Sequence, residues 1–340
     1  MAEIAPGGTN TYVPSFSEAT GMLQVEYTRS ANDFPITQIS KLVPVQKDTG
    51  YYLSIDHEET SRIVSDADYV WRDGNDAPEH WPTDHEFSTF ATERYAYGFN
   101  LGHKSIANAD WEIVASHARM AASKAMRHRN ARAATVLTTP GNWPTGTTAS
   151  ATSVGGGKMS GSTSSNAYIQ KGFQGVREAI SANTGEAVNP SDIVAILSDK
   201  TAHILTQTPE YREFFQGSPF ATQFVRGDQE FNDFLLLSTF FGIGGIVVDA
   251  TTKVSTRKGG AGTRARIYDD DIVFVSRPGG IVGTEGVPDF STLSTFAYED
   301  MTVETNDDAW NRRTRGRVVD DSAIVLTAPL SGYLLTDVWD

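Results

Sequence analysis

Four clusters in the chain carry residue types that can do chemistry. Gly155-Gly156-Gly157-Lys158-Met159-Ser160 has the glycines and lysine of a phosphate loop, in which backbone N–H groups cradle phosphates and the lysine neutralises them. The leading glycine at the required spacing is missing, Met159 stands where a hydroxyl should follow the lysine, and no strand precedes the segment. It reads as a surface loop. Asp56-His57-Glu58-Glu59 and Asp84-His85-Glu86 hold metal-type ligands, but neighbours on a strand point to opposite faces. No second histidine sits at i+4, as a zinc-protease helix needs. Both read as solvated acidic faces. Asp269-Asp270-Asp271 lacks the glycine and glutamate spacing of a calcium loop and reads as the turn before a strand at Ile272. Ser160, between Gly157 and Gly161, lacks the spacing of a nucleophile elbow, and scattered Ser, His and Asp do not define a triad. No catalytic, metal or cofactor-binding residue is assigned, and no cofactor is expected.

The informative chemistry is charge. From Asp48 to Glu112 there are 14 acidic residues against 4 basic ones. From Ile113 to Arg132 there are no acids and five bases: Arg119, Lys124, Arg127, Arg129 and Arg132. Adjacent blocks of opposite sign suit a surface that meets a copy of itself, or two stretches that pair as salt bridges within one chain. The first points to an assembly subunit before an enzyme, and the second is compatible with it.

Composition narrows the class. At 340 residues the chain buries a substantial core in one or two domains. A net charge of −14 argues against a protein whose main task is coating nucleic acid, because phosphate contacts need a Lys/Arg surplus; a local basic patch still suits DNA. Cysteine is absent, which removes disulfides, thiolate catalysis and Cys-ligated zinc. Met1 to Tyr12 lacks the basic and apolar regions of a secretory signal. The longest apolar run, Phe234 to Val248, is shorter than the ~20 residues of a membrane span and is broken by Gly242, Gly244 and Gly245. It reads as a buried helix end, a turn and a strand, with no membrane partner.

The elements that position these blocks follow from periodicity. Residues 1–45, punctuated by Pro6, Pro14, Pro35 and Pro44, read as an extended arm that needs a partner surface to order it. Residues 46–105 read as a long β-hairpin: a strand at Tyr51–Ile55, a turn at Arg72-Asp73-Gly74-Asn75-Asp76 and a returning strand from Glu86. A two-stranded hairpin is marginal alone and must lie on its own body or on a neighbour. A helix is expected over 110–137, capped by Asn108 or Asp110, with Ile113, Val114, His117, Met120, Ala121 and Ala125 on one face. At ~1.5 Å per residue it is roughly 42 Å long. Residues 138–165 are rich in Gly, Ser and Thr and read as a flexible excursion. A helix over 166–183, a buried strand at Asp192–Leu197, two short helices, a helix at Phe231–Phe241 and buried strands at Ile246–Val248 and Ile272–Val275 make an α/β unit. Thr251 to Arg266 reads as a basic glycine-rich loop. Strands near Met301–Val303, Arg317–Val319, Ile324–Leu326 and Tyr333–Leu335 close the chain.

This order of parts resembles the major capsid protein of tailed bacteriophages, the Hong Kong 97-type fold. Phe34-Pro35-Ile36 through Val43-Pro44-Val45 and Gly50-Tyr51-Tyr52 resemble the entry into its extended E-loop, and Ala107-Asn108-Ala109-Asp110 the start of its spine helix. Val176-Arg177-Glu178-Ala179-Ile180, Asn183-Thr184-Gly185, Ile193–Leu197 and Pro209-Glu210-Tyr211 are similar to its helix–strand–helix run. Ser331 to Asp337 is similar to its closing strand.

The resemblance implies an α+β fold with an arm (1–45), an E-loop (46–105), a peripheral domain (106–165 and 285–322, with the spine helix) and an axial domain (166–284 and 323–340). It implies a structural protein of the virion, assembled in the host cytoplasm. Pentamers and hexamers would form an icosahedral or prolate shell around double-stranded DNA, contacted non-specifically. A separate scaffolding protein, a portal and a decoration protein are the implied partners. Trp71, Arg72, Asp73 and Trp81 at the hairpin end, and Arg119, Arg127 and Arg129 on the spine helix, are the expected contacts between subunits. Two other readings stand beside this one: an encapsulin-type nanocompartment shell of the same fold, and a cytoplasmic α/β hydrolase.

Overall fold

The computed structural model describes residues 3–4, 12–13, 34–55, 85–109, 112–186, 188–216, 238–254, 264–276 and 291–339. In chain order the strands are β1 (Glu3–Ile4), β2 (Tyr12–Val13), β3 (Ser40–Pro44), β4 (Thr49–Ile55), β5 (His85–Ala91), β6 (Glu93–Gly102), β7 (Thr148–Ser150), β8 (Ile193–Ser198), β9 (Gly245–Asp249), β10 (Thr252–Val254), β11 (Arg264–Arg266), β12 (Ile272–Ser276), β13 (Leu293–Asp308), β14 (Arg313–Leu326) and β15 (Tyr333–Thr336). The helices are α1 (Ile36–Ile39), α2 (His103–Ala107), α3 (Ile113–Thr138), α4 (Ala151–Gly155), α5 (Tyr168–Asn183), α6 (Asp199–Gln207), α7 (Pro209–Gln216) and α8 (Ser238–Phe241).

Two sheets organise the molecule. The first has the order β7-β15-β12-β8-β9. Its inner strand β8 is buried throughout and apolar from Ile193 to Leu197, because both faces are covered. Ile193, Ala195 and Leu197 join one core with Ile169, Phe173, Val176 and Ile180 of α5 and Leu205 of α6. Val194 and Ile196 join a second core with Met126, Ala133, Ala134 and Leu137 of α3. A period of two on the strand thus meets two helical layers. The second sheet has the order β3-β13-β14-β6, and α3 also lies against it.

The helix start differs from expectation. A short α2 precedes α3, and Glu112 occupies the N-cap without a side-chain cap. Met120 is 42 % exposed, because only the second half of α3 crosses the five-stranded sheet. Residues 34–44 are ordered by the chain's own body. Phe34, Ile36 and Ile39 sit in the α3 core, and β3 pairs in parallel with β13. The Gly/Ser/Thr stretch is structured too. It supplies edge strand β7 to β15 and buries Trp143, Ala151 and Met159. The expected basic loop contains the β10–β11 hairpin at its ends. Of the helix expected at Phe231–Phe241, Ser238–Phe241 is observed and residues 231–237 lie outside the described residues; Gly242 follows at φ 64. The three strands expected between 301 and 326 are two long ones, and β14 runs unbroken across the boundary expected at 322.

Candidate assembly surface

The alternation Tyr95-x-Tyr97-x-Phe99 on β6 puts three aromatic rings on the sheet face that meets α3. His117 and His128, three helical turns apart, meet them. Phe99 lies 6.0 Å from His117, Tyr95 lies 5.0 Å edge-on to His128, and Tyr97 Oη is 2.6 Å from His128 Nδ1. Gly316 opposite Phe99 leaves the room, since a Cβ there would stand 2.1 Å from the ring. Burial pushes the Tyr97 hydroxyl up to about 12, so it keeps its proton beside the imidazole. Burial, and then Arg132, hold His128 below its ordinary 6.5.

Ion pairs fasten the same seam. Asp320 on β14 is fully buried and receives Arg129 at 2.5 Å and Arg132 at 2.7 Å. The two arginines are three apart, so they share a helix face. Arg132 also donates to the Ser322 carbonyl at 3.1 Å and covers the Tyr95 ring at 4.1 Å. Register shifts between Ala297 and Thr302 mark bulges in β13. They lie beside Asp300, which reaches Arg129 at 2.8 Å. On the opposite sheet face Arg94 pairs with Asp321 at 3.0 Å. Asp320 and Asp321 interrupt the apolar run Val318 to Leu326. That interruption was the available sign of a buried ionic pair, and the sequence reading instead split the strand there.

Arg129 was expected at a subunit contact. The structure commits its guanidinium to Asp320 and Asp300 within the chain, because the second half of α3 is packed between the sheets. Arg119 and Arg127 are exposed on the outer face of α3, as is Lys124. Trp71, Arg72, Asp73 and Trp81 lie outside the described residues, as do Asp56–Glu59 and Asp84. Gly155 and Gly157 serve packing, a Cβ on Gly157 standing 2.4 Å from the Tyr168 ring, and Gly156 ends α4 at φ 86. Lys158 pairs with Asp337 at 3.0 Å. Asp269–Asp271 form the turn before β12, with the Asp269 carbonyl accepting from Ser198 and Thr201. Among the described residues no three His, Asp or Glu side chains are placed to hold a metal, and no helix is long and apolar enough to cross a membrane.

The hairpin β4–β5 is anchored at its base. Phe90 stacks flat on Phe296 of β13 with centroids 4.2 Å apart, and Tyr52 adds a second ring at 5.9 Å. Gly50, the cross-strand partner of Phe90, permits this: a Cβ there would be 2.7 Å from the ring. The other face of the hairpin is open, with Tyr51 74 % and Phe87 70 % exposed. At the far end of the sheet, the β13–β14 turn carries Trp310, 95 % exposed. Asp308 locks that turn, accepting from the Asn311 N–H at 3.1 Å and from Arg313 at 3.1 Å, with Arg315 at 3.3 Å.

No family model matches the sequence, and no curated protein matches it. Among solved structures the chain is similar to a phage-related protein of Bordetella bronchiseptica RB50, with a TM-score of 0.60 at 14% identity over 95% of each chain. It is similar to the chain of the bacteriophage PhiM1 mature capsid, with a TM-score of 0.55 at 10% identity over 91% of this chain and 87% of that one. The fold is that of phage capsid proteins. The cyanophage P-SCSP1u capsid gives the same result: TM-score 0.54, 10% identity, 93% of this chain and 90% of that one. The capsid fold holds nearly end to end while the side chains differ, so the likeness lies in backbone topology.

Proposed function

We propose that this chain is a major capsid protein that assembles into a closed shell of pentamers and hexamers around double-stranded DNA. The observation that carries this is the match to the PhiM1 mature capsid chain over nearly the whole of both chains. The role is structural. Many modest contacts sum over a closed surface by multivalency, and charge sets register more than strength. In this reading the peripheral domain is α3 with the four-stranded sheet, and the axial domain is the five-stranded sheet with its helices. The hairpin lies on a neighbouring copy, with Trp71, Arg72, Asp73 and Trp81 near its end. Arg119 and Arg127 on the exposed face of α3 are the basic contacts. A scaffolding protein, a portal and a decoration protein complete the assembly in the host cytoplasm.

Size-exclusion chromatography with light scattering, followed by negative-stain electron microscopy at high concentration, tests the proposal. Rings or closed shells are the expected result, with nucleic acid inside particles recovered from cells. A monomer at every concentration, even with a scaffold supplied, would refute it; protein cargo in place of DNA would indicate a nanocompartment.

A further inference from the structure

Among the described residues, the two most exposed aromatic surfaces lie beyond opposite ends of the four-stranded sheet. β6 pairs with β14 from Gly102 opposite Arg313 to Glu93 opposite Ser322, a span of roughly 30 Å at ~3.4 Å per residue. Trp310 stands beyond the first end and the open face of the hairpin base beyond the second. Tyr51 pairs with Thr89 and Leu53 with Phe87, so Tyr51 and Phe87 are diagonal neighbours on that face. A single chain cannot bring the two surfaces together.

Their chemistry is complementary. The tip offers Trp310 and the exposed Arg312 on a turn already locked by Asp308. Trp and Arg are the side chains that most often dominate interfaces, and a pre-ordered turn loses little freedom on binding. The hairpin offers two exposed aromatics in a segment with 14 acids against 4 bases.

We infer that the Trp310 tip of one copy seats on the Tyr51/Phe87 face of the next. Contact between unlike patches of identical chains is head-to-tail, and such contacts close into rings or propagate. The inference rests on the capsid reading and names the surface that meets the hairpin.

The absence of cysteine makes the test clean. Ala309→Cys and Thr89→Cys, both at exposed positions, leave the three aromatic rings in place. Oxidation of the assembled double variant is expected to give a ladder of disulfide-linked multimers on a non-reducing gel, while each single variant gives dimers at most. Trp310→Ala is expected to raise the concentration needed for assembly at least ~10-fold with unchanged thermal unfolding, and Trp310→Phe to recover part of it. Wild-type shells with no ladder, or with Trp310→Ala assembling as wild type does, overturn the inference and leave the capsid reading standing. Failure of the wild type to form any assembly sinks both.

Discussion

Asp320 has no access to water and holds two guanidinium groups. Asp320→Ala leaves the buried Arg129 with only the half-exposed Asp300 as a partner, and breaking one side of a buried pair costs about 3–5 kcal/mol. Urea denaturation is expected to show that loss, whereas Arg119→Ala and Arg127→Ala stay within about 0.5 kcal/mol. Two titrating residues set opposite pH slopes. His128 is held below 6.5, so its contribution is complete above that pH. It is lost as the pH falls below 6.5, where the unfolded chain takes the proton first. Asp271 is pushed up from 3.8 to about 7 by burial and then by Asp270 and Asp269. The folded state keeps that proton longer, so stability falls as the pH rises from 3.8 toward 7. Melting temperatures measured against pH are expected to rise for Asp271→Asn at neutral pH and to match wild type near pH 4. His128→Gln is expected to flatten the slope just below 6.5. The basic run was legible in the sequence, but the partner of Arg129 was not. Asp320 lies 191 residues away in sequence, and only the strand pairing brings it to the helix.

The helices show what periodicity reveals and what it hides. α3 ends before Pro140 as expected, because proline cannot continue a helix and the preceding residue is pushed toward extended geometry. Its start was misplaced, since Asn108 and Asp110 were natural caps in the sequence yet α3 begins after Glu112. α5 is capped from outside its own sequence. The buried Glu210 of α7 accepts from the Ile169 and Gln170 N–H groups at 3.1 Å and from the Ser162 hydroxyl. Glu210→Ala strands the Gln170 N–H and leaves the Ile169 N–H only its 3.3 Å contact with Ser162 Oγ, and a loss of about 2–3 kcal/mol is expected in chemical denaturation. Composition made residues 138–165 look unstructured, because β7 owes its order to β15, far off in sequence, and Met159 owes its order to the core under α5. Of the bulged β13, only the part near Met301–Val303 was expected as a strand, for a related reason: extra residues break the period of two.

At the scale of the whole molecule, the order of parts was enough to name the fold, because topology outlasts side-chain identity when the elements pack the same way. The surfaces through which copies meet were less legible. Trp310 is one tryptophan among six in the sequence, and its exposure depends on where the β13–β14 turn falls. If head-to-tail contact holds, assembly monitored by light scattering is expected to weaken with added salt less than a purely ionic contact would, since the aromatic part is not screened. β14 runs without interruption from the Trp310 turn to the hairpin base, so in the proposed shell it joins one contact to the next. Outward pressure from packed DNA would then pull along the strands. Force in that direction shears many ladder hydrogen bonds at once instead of peeling them singly, so each subunit acts as a stiff tie.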